Sequence, residues 1–371
     1  MGRDKSPSKQ NQQYLKELGD FQNLRVLAYN NYVTPIITFI LLTVLSYIGV
    51  YLIRRYAEKR QLLDHPNDRS SHSAPMPRGG GLAIVLLVMG AGLWSAREAG
   101  LNQSLIYIVG GAVIAFLGWR DDIHSLSPRV RFTVQGLVAI ISILGLGYFK
   151  SVTIPLFGVL QLGAVGIVIT FLWIIGLTNA YNFMDGIDGI AGGVAVSAGL
   201  GWMWLSSASG HWGNSFVFWI ALSISASSLG FLGHNWSPAK IFMGDVSSTF
   251  LGYSFAVLPL LSADKGGDAL MLGTLLMWTF ILDTSVTFFQ RAFKGENIFS
   301  AHRSHLYQRL VIGGYKHATV SSLYILLTLL AGMLAYLWAR GSVIAPAFIF
   351  IGLPLIWILL SIHAARLKNV D

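Results

Sequence analysis

Apolar segments of roughly 16 to 24 residues, each long enough to cross a bilayer as a helix, recur along the chain from Thr34 to His363. Unpaired backbone N–H and C=O groups are too costly in lipid, so each such span has to be helical. With 54% hydrophobic and 12% charged residues, the chain also has about half the charge of a soluble domain. The sequence therefore predicts an all-α, polytopic integral membrane helix bundle.

We predict eleven spans, with ten as the alternative count, and they leave no room for a separate soluble domain. The chain then divides into a polar N-terminal segment, residues 1–33, and one membrane domain, residues 34–371. The predicted segments are approximately residues 34–53, 79–96, 104–119, 132–148, 161–178, 189–206, 215–233, 246–262, 269–290, 319–339 and 342–363.

The basic residues predict the orientation of these spans. Seventeen of the 26 Lys and Arg residues fall in one alternate set of polar breaks and four in the other, and the remaining five lie in residues 1–33. By the positive-inside rule, the first set faces the cytoplasm. The net charge of +9 is therefore explained by the membrane topology, and we expect no nucleic-acid partner.

Five aspartates stand at the cytoplasmic ends of predicted spans: Asp121, Asp122, Asp185, Asp188 and Asp245. A carboxylate at a helix end costs far less than one at the bilayer centre. Any one of them alone is equally well explained as a cap or a loop residue, but five on one face indicate a shared site. Their oxygens suit Mg²⁺, with Mn²⁺ as the alternative, and a diphosphate fits such an ion.

Two polar stretches surround these aspartates. From Asn179 onward, polar residues recur every three positions, and this spacing makes Asn182 and the next two aspartates neighbours on a helix surface. The nearby glycines are also explained by helix packing alone. Further on, Asp245 opens an apolar run, so a helix N-terminus there could hold a phosphate, or Asp245 could simply cap it. Asn235 and Phe242 suit a planar base.

A later basic loop and a glycine-rich loop complete the set of polar candidates. In residues 296–310, the side chains of His302, Arg303 and His305 suit phosphate or carbohydrate oxygens. A zinc pair and an ordinary basic surface loop are the alternatives. The earlier loop places Arg78 beside a glycine run that has no P-loop signature.

Together these stretches resemble the polyprenyl-phosphate N-acetylhexosamine-1-phosphate transferases, the family of the phospho-N-acetylmuramoyl-pentapeptide translocase and of the enzymes that start O-antigen and teichoic acid chains. The resemblance covers nearly all of the chain after residue 60. Its five motifs, in order, are DxPxxRxxHxxPxPRGGG from Asp64, the pair Asp121 and Asp122, NxxNxxDGxDG from Asn179, NxxPAxIFMGDxxS from Asn235, and the loop around His305.

The resemblance implies transfer of an N-acetylhexosamine-1-phosphate from a UDP-sugar to polyprenyl (undecaprenyl) phosphate, with release of UMP, to start a surface polysaccharide such as O-antigen. It implies a bacterial cytoplasmic membrane, a site facing the cytoplasm, and Mg²⁺ held by Asp245 and Asn182. Asp121 and Asp122 would bind or deprotonate the lipid phosphate. The other implied substrate contacts are Arg78, Asp185, Asp188, Asn235, Phe242, His302, Arg303 and His305. A homodimer is compatible with it.

Tyr307 and Gln308 stand where many members of the family carry further histidines, which favours the surface-polysaccharide branch. Asp283 lies within a predicted span and is left out of the site. Two other classes remain open. A proton-coupled transporter would place acidic residues at mid-membrane, as only Asp283 is placed. A CDP-alcohol phosphotransferase would share the DxxDG of Asp185 to Gly189 but not the glycines that follow.

Overall fold

A computed structural model describes residues 9–64, 75–96, 101–208, 216–262, 268–296 and 303–367, with side chains from residue 33 onward except at 207 and 208. The described chain is mostly helical. Its helices are α1 (Lys9–Arg60), α2 (Leu82–Trp94), α3 (Leu101–Ile123), α4 (Pro128–Leu146), α5 (Val165–Phe183), α6 (Ile190–Ala208), α7 (Phe216–Asn235), α8 (Asp245–Leu261), α9 (Asp268–Leu276), α10 (Trp278–Phe293), α11 (Leu306–Ile312), α12 (His317–Ala339) and α13 (Ala345–Arg366), the last with a π-helical stretch at Phe348–Gly352.

Each of the eleven predicted apolar segments coincides with helix, but the count of eleven spans is not confirmed. Seven helices of the described chain are long and apolar enough to cross a membrane, namely α1 from Val33, α3, α4, α5, α7, α12 and α13. Helices α9 and α10 bend by 80° at their junction and make an eighth candidate if they are one span. The apolar helices α2, α6 and α8 are shorter; α2, with 13 residues, rises only about 20 Å.

Two short antiparallel hairpins accompany the helices of the described chain, which is otherwise consistent with the predicted helix bundle. Strand β1 (Leu63–Asp64) pairs with β2 (Met76–Pro77), and β3 (Ser151–Ile154) pairs with β4 (Gly158–Gln161). In the second hairpin the tight turn places Leu156 and Gly158 at positive φ. Strands this short have too few residues to show the alternation that identifies a strand in a sequence.

The predicted boundary at residue 33 falls inside a helix. Helix α1 runs without a break from Lys9 to Arg60 and contains Pro35. The polar N-terminal segment is therefore helical from Lys9 onward, and the division into segment and membrane domain stays a prediction. Helix α4 begins at Pro128, a few residues before the predicted start of its segment. The Ser127 side chain caps it by accepting a hydrogen bond from the backbone N–H of Val130, and proline at the first helical position suits such a start.

Helix α8 is the centre of the bundle: every residue from Val246 to Leu261 is buried. It packs closely on α3 and α5 through glycines. A Cβ atom at Gly118 of α3 would overlap the backbone carbonyl of Asp245, and one at Gly252 of α8 would lie 2.7 Å from the Cα of Thr178 in α5. These contacts bring the cytoplasmic-side end of α3, as we predict it, and the end of α5 against the start of α8.

Candidate active site

The carboxylate of Asp122 caps helix α8. Its Oδ1 accepts a hydrogen bond from the backbone N–H of Asp245, and its Oδ2 accepts one from that of Val246, both at 3.1 Å. Gly244, at φ 81°, leads the chain into this position, and the short Gly118 one turn earlier in α3 allows the approach. The first two backbone N–H groups of α8 are therefore already bonded to Asp122, and Asp122, rather than Asp245, caps the helix.

The side chain of Asp245 is left for other partners. Its Oδ1 accepts a hydrogen bond from Nδ2 of Asn182 at 2.8 Å, and the same amide nitrogen lies 2.9 Å from the hydroxyl of Ser248. Asn182 belongs to the last turn of α5. Two residues that the sequence predicts as metal ligands thus lie in direct contact, although α5 and α8 are far apart in the chain.

Asp185 has the fewest hydrogen-bond partners of these carboxylates. It follows the end of α5, and no described residue donates a hydrogen bond to its side chain. Burial, followed by repulsion from Asp245 and Asp122, raises the pKa of Asp185 well above its usual value. The repulsion shows that three of the predicted aspartates are close enough to interact, and a divalent cation would relieve it.

Asp121 lies beside this group but is tied to α4. Its Oδ1 accepts a hydrogen bond from the backbone N–H of Leu126 at 2.6 Å, and its Oδ2 is 3.0 Å from the guanidinium of Arg131. It also interacts electrostatically with Asp245. Arg131 is a basic residue of the site that the sequence analysis did not single out.

Arg78 reaches the site from the β1–β2 hairpin. Its guanidinium lies 3.8 Å from Oδ1 of Asp122 and 3.7 Å from Oδ1 of Asp64. A pocket of about 340 Å³ opens here, with Arg78 and Asp122 at its polar end. Its other walls are mostly apolar and come from the end of α1, the start of α2 and the end of α3; they include Ile53, Tyr56, Leu82, Trp119 and Ile123. The pocket suits a molecule with an anionic head and an apolar tail.

Two loops hold the site together through their backbones. The backbone N–H of Phe242 donates to the carbonyl of Pro77 at 2.8 Å, and the N–H groups of Gly80 and Gly81 donate back to the carbonyls of Phe242 and Met243 at 3.0 Å. The glycine-rich loop therefore runs along the segment before α8. The side chain of Phe242 is half-buried.

Asn235 and Asp188 connect the loop that follows α5 to the loop that follows α7. The amide oxygen of Asn235 accepts from the backbone N–H of Gly189 at 3.0 Å, and its amide nitrogen donates to the carbonyl of Ile241 at 2.9 Å. Oδ2 of Asp188 lies 3.3 Å from Nδ1 of His317 and accepts from the N–H of Ala239. Burial alone would raise the pKa of Asp188, but the His317 contact and the Ala239 N–H hold it below its usual value. Both predicted substrate contacts thus have structural partners.

The basic loop is anchored by Asp283, which the sequence analysis left aside. This carboxylate, 1% exposed in α10, accepts hydrogen bonds from the backbone N–H groups of Leu306 and Tyr307 at 2.7 and 3.2 Å and from the Tyr324 hydroxyl at 2.6 Å. Nδ1 of His305 lies 3.3 Å away. Asp283 therefore fixes the start of α11 from another helix, and no local pattern in the sequence indicates this.

The other predicted residues of this loop are placed less centrally. His305 is buried and stacks on Tyr307 at 5.8 Å, Arg303 is exposed, and His302 lies outside the described residues. The Tyr307 hydroxyl donates to the carbonyl of Phe183 at 3.0 Å. Tyr307, noted in the sequence only as a departure from the family pattern, thus connects α11 to the turn that carries Asp185.

The residues present fit a divalent cation of the Mg²⁺ class. Within the described part of the chain, no group of three or more His, Cys, Asp or Glu side chains is arranged to hold an ion by itself. Mg²⁺ commonly binds through one or two carboxylates and completes its coordination with water and substrate phosphates. Asp245 beside Asn182, with the Asp185 carboxylate lacking any described donor, is a donor set of that kind.

Comparison with known proteins places these residues in a family. Residues 104–263, which contain all five aspartates, match the family model for Glycosyl transferase family 4. A probable undecaprenyl-phosphate N-acetylglucosaminyl 1-phosphate transferase of Bacillus subtilis is 37% identical over 75% of this chain and 76% of its own length. A decaprenyl-phosphate N-acetylglucosaminephosphotransferase of Mycobacterium tuberculosis is 28% identical over 75% and 76%. An undecaprenyl-phosphate alpha-N-acetylglucosaminyl 1-phosphate transferase of Yersinia pestis is 29% identical over 79% and 80%.

Proposed function

The chain belongs to glycosyl transferase family 4, and on that premise we propose that it transfers N-acetylhexosamine-1-phosphate from a UDP-sugar to polyprenyl phosphate and releases UMP. The resemblance indicated by the five motifs is thereby confirmed, and the relatives are sugar-1-phosphate transferases onto polyprenyl phosphate. The relatives' names give N-acetylglucosamine, and we propose the same sugar here. The observation that carries the proposal is the convergence of Asp122, Asp185 and Asp245 at the start of α8.

The donor diphosphate is expected beside Asp245, Asn182 and Asp185, which would hold Mg²⁺. The ion, when bound, supplies positive charge against the diphosphate and its leaving group. Asn182 fixes the Asp245 carboxylate by its 2.8 Å hydrogen bond. Because Asp122 caps α8, it fixes the backbone on which Asp245 stands, so both residues keep the donor site in place before substrate arrives.

The acceptor phosphate is expected at Arg78, with the first isoprenoid units in the pocket between α1 and α3. One oxygen of the lipid phosphate attacks the phosphorus that carries the sugar, the bond to the bridging oxygen breaks, and UMP leaves with that oxygen. A phosphate monoester has its second pKa near 6 and is mostly ionised at neutral pH, so no strong base is needed. Arg78 then neutralises and aligns the attacking group.

We propose that Asp121 and Asp122 act by holding neighbouring groups in place. Both oxygens of Asp122 accept backbone hydrogen bonds, and both oxygens of Asp121 are engaged by Leu126 and Arg131. Oxygens held in this way are poorly placed to attack phosphorus, which favours direct attack by the lipid phosphate over an aspartyl intermediate. Asp122 holds Arg78 toward the acceptor, and Asp121 holds Arg131.

The nucleotide and the sugar are assigned to the remaining predicted residues. Phe242 offers a half-buried ring for the base, while Asn235 and Asp188 act by holding the loops that surround it. His302, Arg303 and His305 are proposed to face the sugar or its phosphate, with the start of α11 fixed by Asp283.

The chain is a multi-pass membrane protein. We further propose that it lies in the bacterial cytoplasmic membrane with the aspartate site facing the cytoplasm, and that its product starts a surface polysaccharide such as O-antigen. The bacterial relatives and the distribution of basic residues support the location. A homodimer stays a prediction.

One assay tests the proposed function. Purified protein is incubated with Mg²⁺, polyprenyl phosphate and, in turn, UDP-N-acetylglucosamine, UDP-N-acetylgalactosamine or CDP-alcohol, and the released nucleotide is measured. We expect UMP only when the lipid phosphate and UDP-N-acetylglucosamine are both present, and none after chelation of the metal. The variant Asp245→Asn should be inactive, whereas Asp268→Asn, at the start of another helix, should be active. Release of CMP, or no release with any donor, would overturn the assignment.

A further inference from the structure

A second pocket, of about 200 Å³, lies where α11 meets the end of α13, apart from the aspartate site. Arg303, Ser304 and Arg309 form its polar wall, and Ile312, Ala364 and Leu367 contribute apolar surface. Small-molecule sites usually occupy about 300–1,000 Å³. This pocket is therefore too small for a nucleotide sugar but has room for a phosphate group and the first carbons attached to it.

Arg309 brings a positive charge to the pocket that no carboxylate of the described residues pairs with. The guanidinium of Arg309 is half-buried, and no described residue forms an ion pair with it. Residues 303–316 and 353–367 contain no Asp or Glu, whereas Lys316 and Arg366 add further positive charge nearby. A partly desolvated guanidinium beside a hydroxyl group and without a carboxylate favours an anion, above all a phosphate that accepts two hydrogen bonds.

The position of the pocket indicates where that anion comes from. Helix α13 is a candidate span with only 28% of its apolar window buried, and its exposed residues include Leu355, Ile358, Leu359 and Ile362. This face is suited to lipid. The next turn carries Arg366 and ends beside the pocket, so the pocket lies at the level where an apolar span gives way to charged residues, which is the level of lipid headgroups.

We propose that this pocket binds the phosphodiester headgroup of an anionic bilayer phospholipid, with Arg309 as the principal contact. Basic pockets beside membrane-spanning helices on the cytoplasmic side commonly take such headgroups. The acyl chains lie along the exposed face of α13. The bound lipid holds α11 against α13. The pocket lies apart from the aspartate site and shares only Arg303 with the proposed sugar contacts.

Native mass spectrometry of the detergent-purified full chain tests this proposal. The protein is titrated with phosphatidylglycerol and with phosphatidylcholine, which has matching chains and no net charge. We expect phosphatidylglycerol to bind at least tenfold more tightly. The variant Arg309→Gln should lose about tenfold in that affinity, as expected for one charge-assisted hydrogen bond, while Arg309→Lys should retain most of it.

The matched control is Arg366→Gln, which removes the same charge from an exposed residue that does not line the pocket; we expect less than a twofold change. Equal binding of the two lipids, or equal losses in Arg309→Gln and Arg366→Gln, would overturn the proposal. A third arm adds inorganic phosphate. If free phosphate binds as tightly as phosphatidylglycerol and displaces it, the site takes soluble phosphate and the lipid assignment is wrong.

Discussion

Asp185 shows how the site is poised for a cation. Its carboxylate is close to those of Asp122 and Asp245, yet no described residue donates a hydrogen bond to it, and its pKa is well above the usual value. Such a group weakens the folded state in its charged form. Natural sites often retain destabilising arrangements of this kind where the ligand supplies the missing charge.

The variant Asp185→Asn should therefore gain stability and lose activity. A raised pKa means that the folded state holds the proton more tightly than the unfolded chain does, so this stability is present at low pH and is lost as the pH rises through the raised pKa. Without divalent ions at about pH 8, we expect the amide to raise Tm by about 2–4 °C. The difference should shrink at about pH 5 and on addition of Mg²⁺. A variant that is less stable than the parent at high pH would contradict this account.

Asp283 is the residue with the largest expected structural effect. Replacing it by Asn converts one of its acceptor oxygens to a donor that faces N–H and O–H groups already directed at it. We expect a loss of about 2–4 kcal/mol in stability, together with a fall in UMP release because the start of α11 is no longer fixed. Thermal unfolding and the nucleotide assay measure the two effects. The control Asp268→Asn should change neither, and full activity of Asp283→Asn would rule out the anchoring role.

For single residues, the sequence predicted which side chains lie together but not which contacts hold them there. Reading the span order put Asp122, Asp185 and Asp245 on one face, and the structure brings them together. That Asp122 caps a helix from a different part of the chain is a long-range backbone contact with no local signature. The role of Asp283 has no local signature either, since its partners include N–H groups of another helix.

Among the elements, the contact between α3 and α8 decides the geometry of the site. Apolar burial contributes little to helix association in lipid. Close packing through small residues therefore has to supply much of the attraction between the helices. Gly118 allows the backbone of α8 to approach α3 one turn before Asp122. The distance between Asp122 and the first N–H groups of α8 depends on that approach.

The variant Gly118→Ala tests this contact. Its methyl group overlaps the carbonyl of Asp245, so the helices must separate, at a cost of about 1–3 kcal/mol and with a loss of transferase activity. Gly90→Ala in α2 is the matched control, because a Cβ atom there has no neighbour within 4 Å; it should be neutral or slightly stabilising. Equal behaviour of the two variants would show that the close contact is unimportant.

Helices were easier to predict than spans. Every predicted apolar segment contains helix because only helices satisfy the backbone of such a segment. Hydropathy does not distinguish a lipid neighbour from a protein neighbour, however. Helix α8 is apolar because it is surrounded by protein, with all residues after Asp245 buried, whereas α13 is apolar because it faces outward. The number of spans therefore depends on tertiary packing.

For the molecule as a whole, the orientation in the membrane is the property on which the proposed substrates depend. The chain has no cysteine, so single cysteines report sidedness without background. We expect Phe157→Cys, in the exposed β3–β4 turn, to react in intact cells with a membrane-impermeant thiol reagent. Lys294→Cys lies at the end of α10, on the predicted cytoplasmic side, and should react only after permeabilisation. Labelling of Lys294→Cys alone would reverse the orientation, and labelling of both in intact cells would contradict the predicted number of spans between them.

The proposed function requires that Asp245, Asn182 and Asp185 bind one divalent ion together with the donor diphosphate. Electron paramagnetic resonance of bound Mn²⁺ measures this most directly, on purified protein with UDP-N-acetylglucosamine. We predict one tightly bound ion per chain in the parent, its loss in Asp245→Asn, and its retention in Asp188→Asn, whose carboxylate is held by His317. If Asp245→Asn binds the ion as tightly as the parent does, the site proposed at the start of α8 is wrong.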